Sequence, residues 1–365
     1  MLPYYALLIW TCVLSLIANK PAFRISSKTR FILFVLPAVV ISALRGVGVG
    51  TDTEQYVTAV GLLKSLGFEG YMSLGMYGEY EPGFILLLKL CTLFPDPALS
   101  LIVITSILIF GIQYYVIFRV SSLPGKSYVL YYLGTMYYFG LTGMRQAIAV
   151  SFVMLALLSL MEKRNSRVAL WLVLAVCFHY TALIAIPMFL VCRVNLSRKA
   201  WRWIGIAIAS LILIGPFLPL LFTVIGKYNG YVKYGSEYLV SGRLMPLIQI
   251  VFFGYMFFAY TYAKKNLDLE VGSKKTLLVN IGMYSSLIGV FIGIATMYVN
   301  LFYRFMYYLI PIHCIVLPTV FNERLTRKAK LVADIALIAF ALMFIAFLFV
   351  DSGWFGIDQY KFYWN

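Results

Sequence analysis

Apolar runs recur along the whole chain. They lie near residues 3–18, 31–44, 99–118, 127–140, 147–161, 168–192, 201–225, 244–263, 277–298, 305–321 and 331–350, with a shorter one at 83–94 cut off by Pro95 and Pro97. Such runs predict bilayer-crossing helices, because a helix needs about 20 mostly apolar residues to span the hydrocarbon. Several are shorter than that, which predicts helices that extend into polar sequence, tilt, or stop part-way. The expected fold is an all-α polytopic integral membrane protein with about 10–12 transmembrane segments, forming a single integral membrane domain over 1–365.

Composition strengthens this reading. The chain is 62% hydrophobic and 12% charged, whereas soluble proteins average about 45–50% and about 25%. The first run has no basic residue before it and no small-residue cleavage site after it, so it predicts a retained span rather than a signal peptide. The five cysteines, Cys12, Cys91, Cys177, Cys192 and Cys314, lie in or beside apolar runs and form no CxxC pair. They signal neither a disulfide framework nor a zinc site.

Charge orients the spans. Six connections, 20–30, 119–126, 162–167, 193–202, 264–275 and 324–330, carry 21 of the 30 Lys and Arg residues. Placing all six in the cytoplasm, where basic loops accumulate, puts both termini on the outer side. It also requires 168–192 to enter and return as a re-entrant-type helical hairpin, and makes 45–97 an outer-face loop and half-helix. The net charge of +16 is then the positive-inside bias, and no nucleic-acid partner is implied.

Four arginines fall outside the basic loops: Arg45, Arg145, Arg243 and Arg304. An arginine at membrane depth costs about 2.5–3.5 kcal/mol on insertion scales, so it needs a partner, a wet cavity or a snorkelling route to the interface. Its planar fork, always ionised, suits a diphosphate. Arg145 would also begin a span, where the helix dipole favours an anion.

His179 sits at the turn of the 168–192 hairpin, either as a satisfied core residue or as a base in a cavity open to the outside. The stretch "RGVGVGTDTEQY" brings Gly46, Gly48 and Gly50, whose backbone can approach a ligand closely, next to Asp52 and Glu54. "YGEYEPGF" adds Glu79 and Glu81 among tyrosines, a mixture that suits sugar rings and equally an interfacial belt. A tight interhelical turn with an Arg45–Asp52 salt bridge is the plainer reading of the glycine-rich stretch. No metal-ligand spacing, Ser-His-Asp set or thiolate site is evident.

In this order, "LRGVGVGTDTEQY", "YEPGFILLLKL", "LTGMRQAIAVSFVMLALLSLMEKR", "LAVCFHYTALIAIP" and "YRFMYYLIP" resemble the EpsG-like family, grouped with the Wzy-type (O-antigen) polysaccharide polymerases of bacterial inner membranes. The resemblance implies a GT-C-like, lipid-phosphosugar-dependent glycosyltransferase that joins undecaprenyl-diphosphate-linked repeat units at the periplasmic face. It implies no cofactor and no metal. Implied partners are the lipid-linked donor and acceptor glycans, the bilayer, a chain-length regulator and a flippase. The implied site has Arg145 and Arg304 on the diphosphate, with Arg45 either beside them or clamped by Asp52, Tyr80 and Tyr303 on sugar, and His179, Asp52 and Glu81 as alternative bases; Arg243, outside the matching segments, is added to the diphosphate only as a further arginine near the outer face. A flippase for lipid-linked glycan and a membrane acyltransferase are the rival readings. The first would show pseudo-symmetric halves, and the second would have little use for several outer arginines.

Overall fold

The computed structural model describes residues 1–17, 26–76, 80–192, 204–206, 210–215, 244–267, 269–270, 272–322, 325–348 and 353–364. Arg243, Glu79 and most of the apolar run 201–225 lie outside the described residues. Helices make up the described structure, with no strand beyond an isolated bridge between Arg45 and Phe362. Five described helices are long and apolar enough to cross a membrane: Pro97–Val120, Met144–Met161, Leu244–Asn266, Lys274–Thr296 and Arg327–Ala346. The chain is a multi-pass membrane protein of all-α fold. Shorter apolar helices accompany these, among them Leu2–Ile17, Pro82–Cys91 and Asn165–Phe178.

Local chemistry sets the helix ends. Asp96 accepts from the Leu99 amide at 2.9 Å and Pro97 follows at the first helical position, a combination that satisfies an orphan N–H with a side chain and loses none to the proline. Ser26, Ser273 and Thr326 cap their helices in the same way. The apolar run 127–140 is divided at Thr135, whose φ of 62° is left-handed. Residues Thr53–Tyr71, too polar to register as a span, form a further helix broken at Gly67.

The described residues group into two compact units, Met1–Leu183 with Asp351–Asn365, and Ile184–Val350. In the first, Met144–Met161 is the most enclosed span: 83% of it is buried, against 33% for Arg327–Ala346 in the second. A helix apolar all round belongs inside a bundle, so Arg145 begins the best-buried helix of its unit. In the second unit, Leu244–Asn266 and Lys274–Thr296 pack along a seam of small residues. A Cβ on Gly282 would meet the Tyr260 ring at 2.8 Å, and one on Gly289 would run into the Phe253 ring. Lipid tails are as apolar as the side chains, so packing of this kind, not water exclusion, holds membrane helices together.

Gly289→Val should therefore weaken this pair by about 1–3 kcal/mol through overpacking. Adding Phe253→Ala should recover part of the loss. Thermal unfolding of both variants in detergent checks the pair.

Candidate functional site

The site is built on the dipeptide Glu81–Pro82. Proline pushes the residue before it into extended backbone, and Glu81 takes φ −68° and ψ 152° as the residue that precedes the helix Pro82–Cys91. This helix sits tightly on Asn165–Phe178. A Cβ on Gly83 would come within 2.8 Å of both the Cys177 carbonyl oxygen and the Phe178 ring. That close approach brings Glu81 to the end of Asn165–Phe178, where the helix stops and His179 is extended at φ −161° and ψ 119°.

Both oxygens of Glu81 are used. Arg145 Nη1 donates to Oε2 at 2.7 Å, and His179 Nδ1 lies 2.6 Å from Oε1. The Tyr180 amide also reaches Oε1 at 3.4 Å. The Glu81 side chain is 5% exposed, while Arg145 keeps 20% and His179 keeps 16%. The carboxylate is thus enclosed, and its two partners keep contact with the exterior.

Burial pushes the Glu81 carboxyl pKa up, but the hydrogen bond and charge of His179 and the charge of Arg145 outweigh it and hold the value at about 2. An ionised carboxylate only accepts, so Nδ1 must carry the proton. In the neutral ring Nε2 is then the basic nitrogen, and no hydrogen bond engages it among the described residues.

Arg145 is held on other sides by aromatic rings. Its guanidinium carbon lies 5.6 Å from the Tyr56 ring centroid, 4.9 Å from Tyr80 and 6.0 Å from Phe84, within the range of cation–π attraction. Its Nε donates to the Tyr56 hydroxyl at 3.3 Å, and that hydroxyl donates to Asp52 Oδ2 at 3.4 Å. The loop is tied in as well, since Thr51 and Thr142 share a 2.7 Å hydrogen bond between hydroxyls.

The structure therefore gathers Asp52, Tyr80, Glu81, Arg145 and His179 in one unit. Arg45 belongs to the same unit but is fully buried. Its Nη1 donates to the Ser42 carbonyl at 2.6 Å, the Ser42 hydroxyl at 2.8 Å and the Ser106 hydroxyl at 3.1 Å, while Nε and Nη2 have no hydrogen-bond partner among the described residues. Burial lowers its pKa to about 10, and no ion pair joins it to Asp52 among the described residues. Tyr303 and Arg304 are half-buried in the 3-10 segment Asn300–Tyr308 of the second unit. Tyr56 and Phe84 are the site residues that motif reading missed. Tyr56 was findable, because it stands one helical turn after Asp52 and so shares its face.

A helical membrane protein that encloses a carboxylate between an imidazole and a guanidinium has the elements of an acid–base and anion-binding site. The profile of the EpsG family matches residues 28–362, and the chain belongs to this family of polysaccharide-polymerase-like membrane proteins. No curated protein and no solved structure matches the chain.

The Glu81 pairing should be readable in acid stability. A carboxyl whose folded pKa is depressed contributes stability that is fully present above its unfolded value, near 4.5, and lost as pH falls towards 2. The melting-temperature gap between wild type and Glu81→Gln should be widest above pH 5 and shrink steadily on acidification.

Proposed function

We propose that this protein polymerises undecaprenyl-diphosphate-linked oligosaccharide repeat units into a longer surface polysaccharide. It would work at the periplasmic face of the bacterial inner membrane, with both termini on that side and His179 at the tip of a re-entrant hairpin. Membership in the EpsG family supports the polymerase class. The observation that carries the chemistry is the 2.6 Å contact between Glu81 and His179 Nδ1, which directs the basic Nε2 away from the carboxylate.

On this reading His179 is the base, chosen over Glu81 and Asp52. Glu81 already accepts from Arg145 on one oxygen and from His179 on the other, and its role is to orient the imidazole and stabilise the imidazolium. Nε2 removes the proton of the acceptor hydroxyl as its oxygen attacks the anomeric carbon of the donor. The bond from that carbon to the diphosphate oxygen breaks, and the electron pair leaves with the lipid diphosphate. The proton on Nε2 is then released to the departing diphosphate or to water. Arg145 holds the diphosphate and stabilises its developing charge. Tyr80 stacks on Arg145. Asp52, through Tyr56, fixes the far edge of the guanidinium. One base and no covalent intermediate give inversion at the anomeric carbon.

In cells lacking this protein, complementation at matched membrane levels should give a polysaccharide ladder with wild type and single repeat units with His179→Ala. Loss of a general base lowers the rate about 100- to 10,000-fold. Arg145→Lys, which keeps the charge and loses the fork, should also shorten chains. If single units fail to reach the outer surface in the null strain, the protein transports lipid-linked glycan instead, and a normal ladder in the null strain overturns both readings.

A further inference from the structure

We propose that the segment 353–364 is a strap that positions the loop carrying Asp52, and through it the guanidinium of Arg145. Residues from the far end of the sequence would thus act as positioning residues of the site. The effect on turnover rests on the function proposed above; the strap itself rests on geometry alone.

The glycine-rich stretch 46–50 has few side chains with which to hold itself in place, and its backbone is held by the strap. Gly46 N–H donates to the Lys361 carbonyl at 2.8 Å and Tyr363 N–H to the Leu44 carbonyl at 2.9 Å, on either side of the Arg45–Phe362 bridge. Gly50 N–H donates to the Gly356 carbonyl at 2.9 Å and Thr51 N–H to the Phe355 carbonyl at 3.1 Å. Gly356 has φ 62°, and a Cβ there would sit 3.1 Å from the Thr51 nitrogen. Left-handed backbone and close approach both call for glycine at this point.

The strap is tied down along its length. The Tyr360 hydroxyl donates to the Ile41 carbonyl at 2.7 Å, and the Tyr363 hydroxyl donates to Asp96 Oδ2 at 2.8 Å. The Tyr360 ring packs edge-on against Tyr4 at 5.5 Å. The buried guanidinium of Arg45, anchored on Ser42 and Ser106, braces the same loop from inside the unit.

Two routes lead from the strapped loop to Arg145. One runs from Asp52 through the Tyr56 hydroxyl to Arg145 Nε. The other runs from Thr51 and the Asp52 amide to the Thr142 hydroxyl, two residues before the helix Met144–Met161 begins. Loosening the strap frees both.

The test is hydrogen–deuterium exchange on the full-length protein in nanodiscs, comparing wild type with Tyr360→Ala. If that variant does not fold, Tyr363→Phe, which removes the bond to Asp96, replaces it. Exchange over 46–56 should become at least about tenfold faster, while 274–296 stays unchanged. Unchanged exchange over 46–56, or a rise everywhere, overturns the strap.

Turnover is then measured for Tyr360→Ala, Tyr56→Phe and the double variant. Because Tyr360→Ala frees both routes and Tyr56→Phe cuts one of them, the double variant should be no slower than Tyr360→Ala alone. Losses that multiply overturn the positioning role. If exchange rises as expected while His179→Ala still makes a normal ladder, the catalytic reading falls and the strap stands.

Discussion

The site depends on one carboxylate, Glu81, which is enclosed at 5% exposure and bonded on both oxygens. A buried charge without partners costs several kcal/mol, and removing one member of a buried pair leaves the other uncompensated. Glu81 therefore needs Arg145 and His179 as much as they need it. The three come from separate parts of the sequence: the start of one short helix, the start of a span, and a helix break. Folding must bring these ends together before any of the charges is satisfied.

That constraint gives meaning to otherwise minor local features. Pro82 starts its helix and leaves Glu81 extended; Gly83 lets that helix lie against Cys177 and Phe178. The helix break at His179 gives the imidazole a position that a continuous helix would not. An arginine in a first helical turn opposes the helix dipole, and at Arg145 the Glu81 carboxylate offsets this. The rings of Tyr56, Tyr80 and Phe84 then limit where the guanidinium can go.

Much of the fold was legible because hydropathy is a strong signal over 20 residues. The run 244–263 became Leu244–Asn266, and 331–350 became Arg327–Ala346. What hydropathy could not report was the helix Thr53–Tyr71, whose polar residues dilute the signal, or the break at Thr135, which is a matter of a single φ angle. In the site, residue types such as Glu81, Arg145 and His179 stood out because charge is rare in an oily chain. Their pairing did not, since ion pairs 64 and 98 residues apart in sequence leave no local trace. Arg45 shows the limit of that approach: its charge drew attention, but only the structure places it inside the unit, bonded to Ser42 and Ser106.

The central claim, that Glu81 fixes the His179 proton on Nδ1 and leaves Nε2 basic, can be tested without substrate. The chain has two histidines, His179 and His313, so ¹⁵N NMR of histidine-labelled protein gives a spectrum that a His179→Ala sample assigns. The account predicts that neutral His179 is protonated at Nδ1 and bare at Nε2, with this preference lost in Glu81→Gln. A proton found on Nε2 in the wild-type protein would contradict it, because the nitrogen facing away from Glu81 could then accept nothing from a sugar hydroxyl.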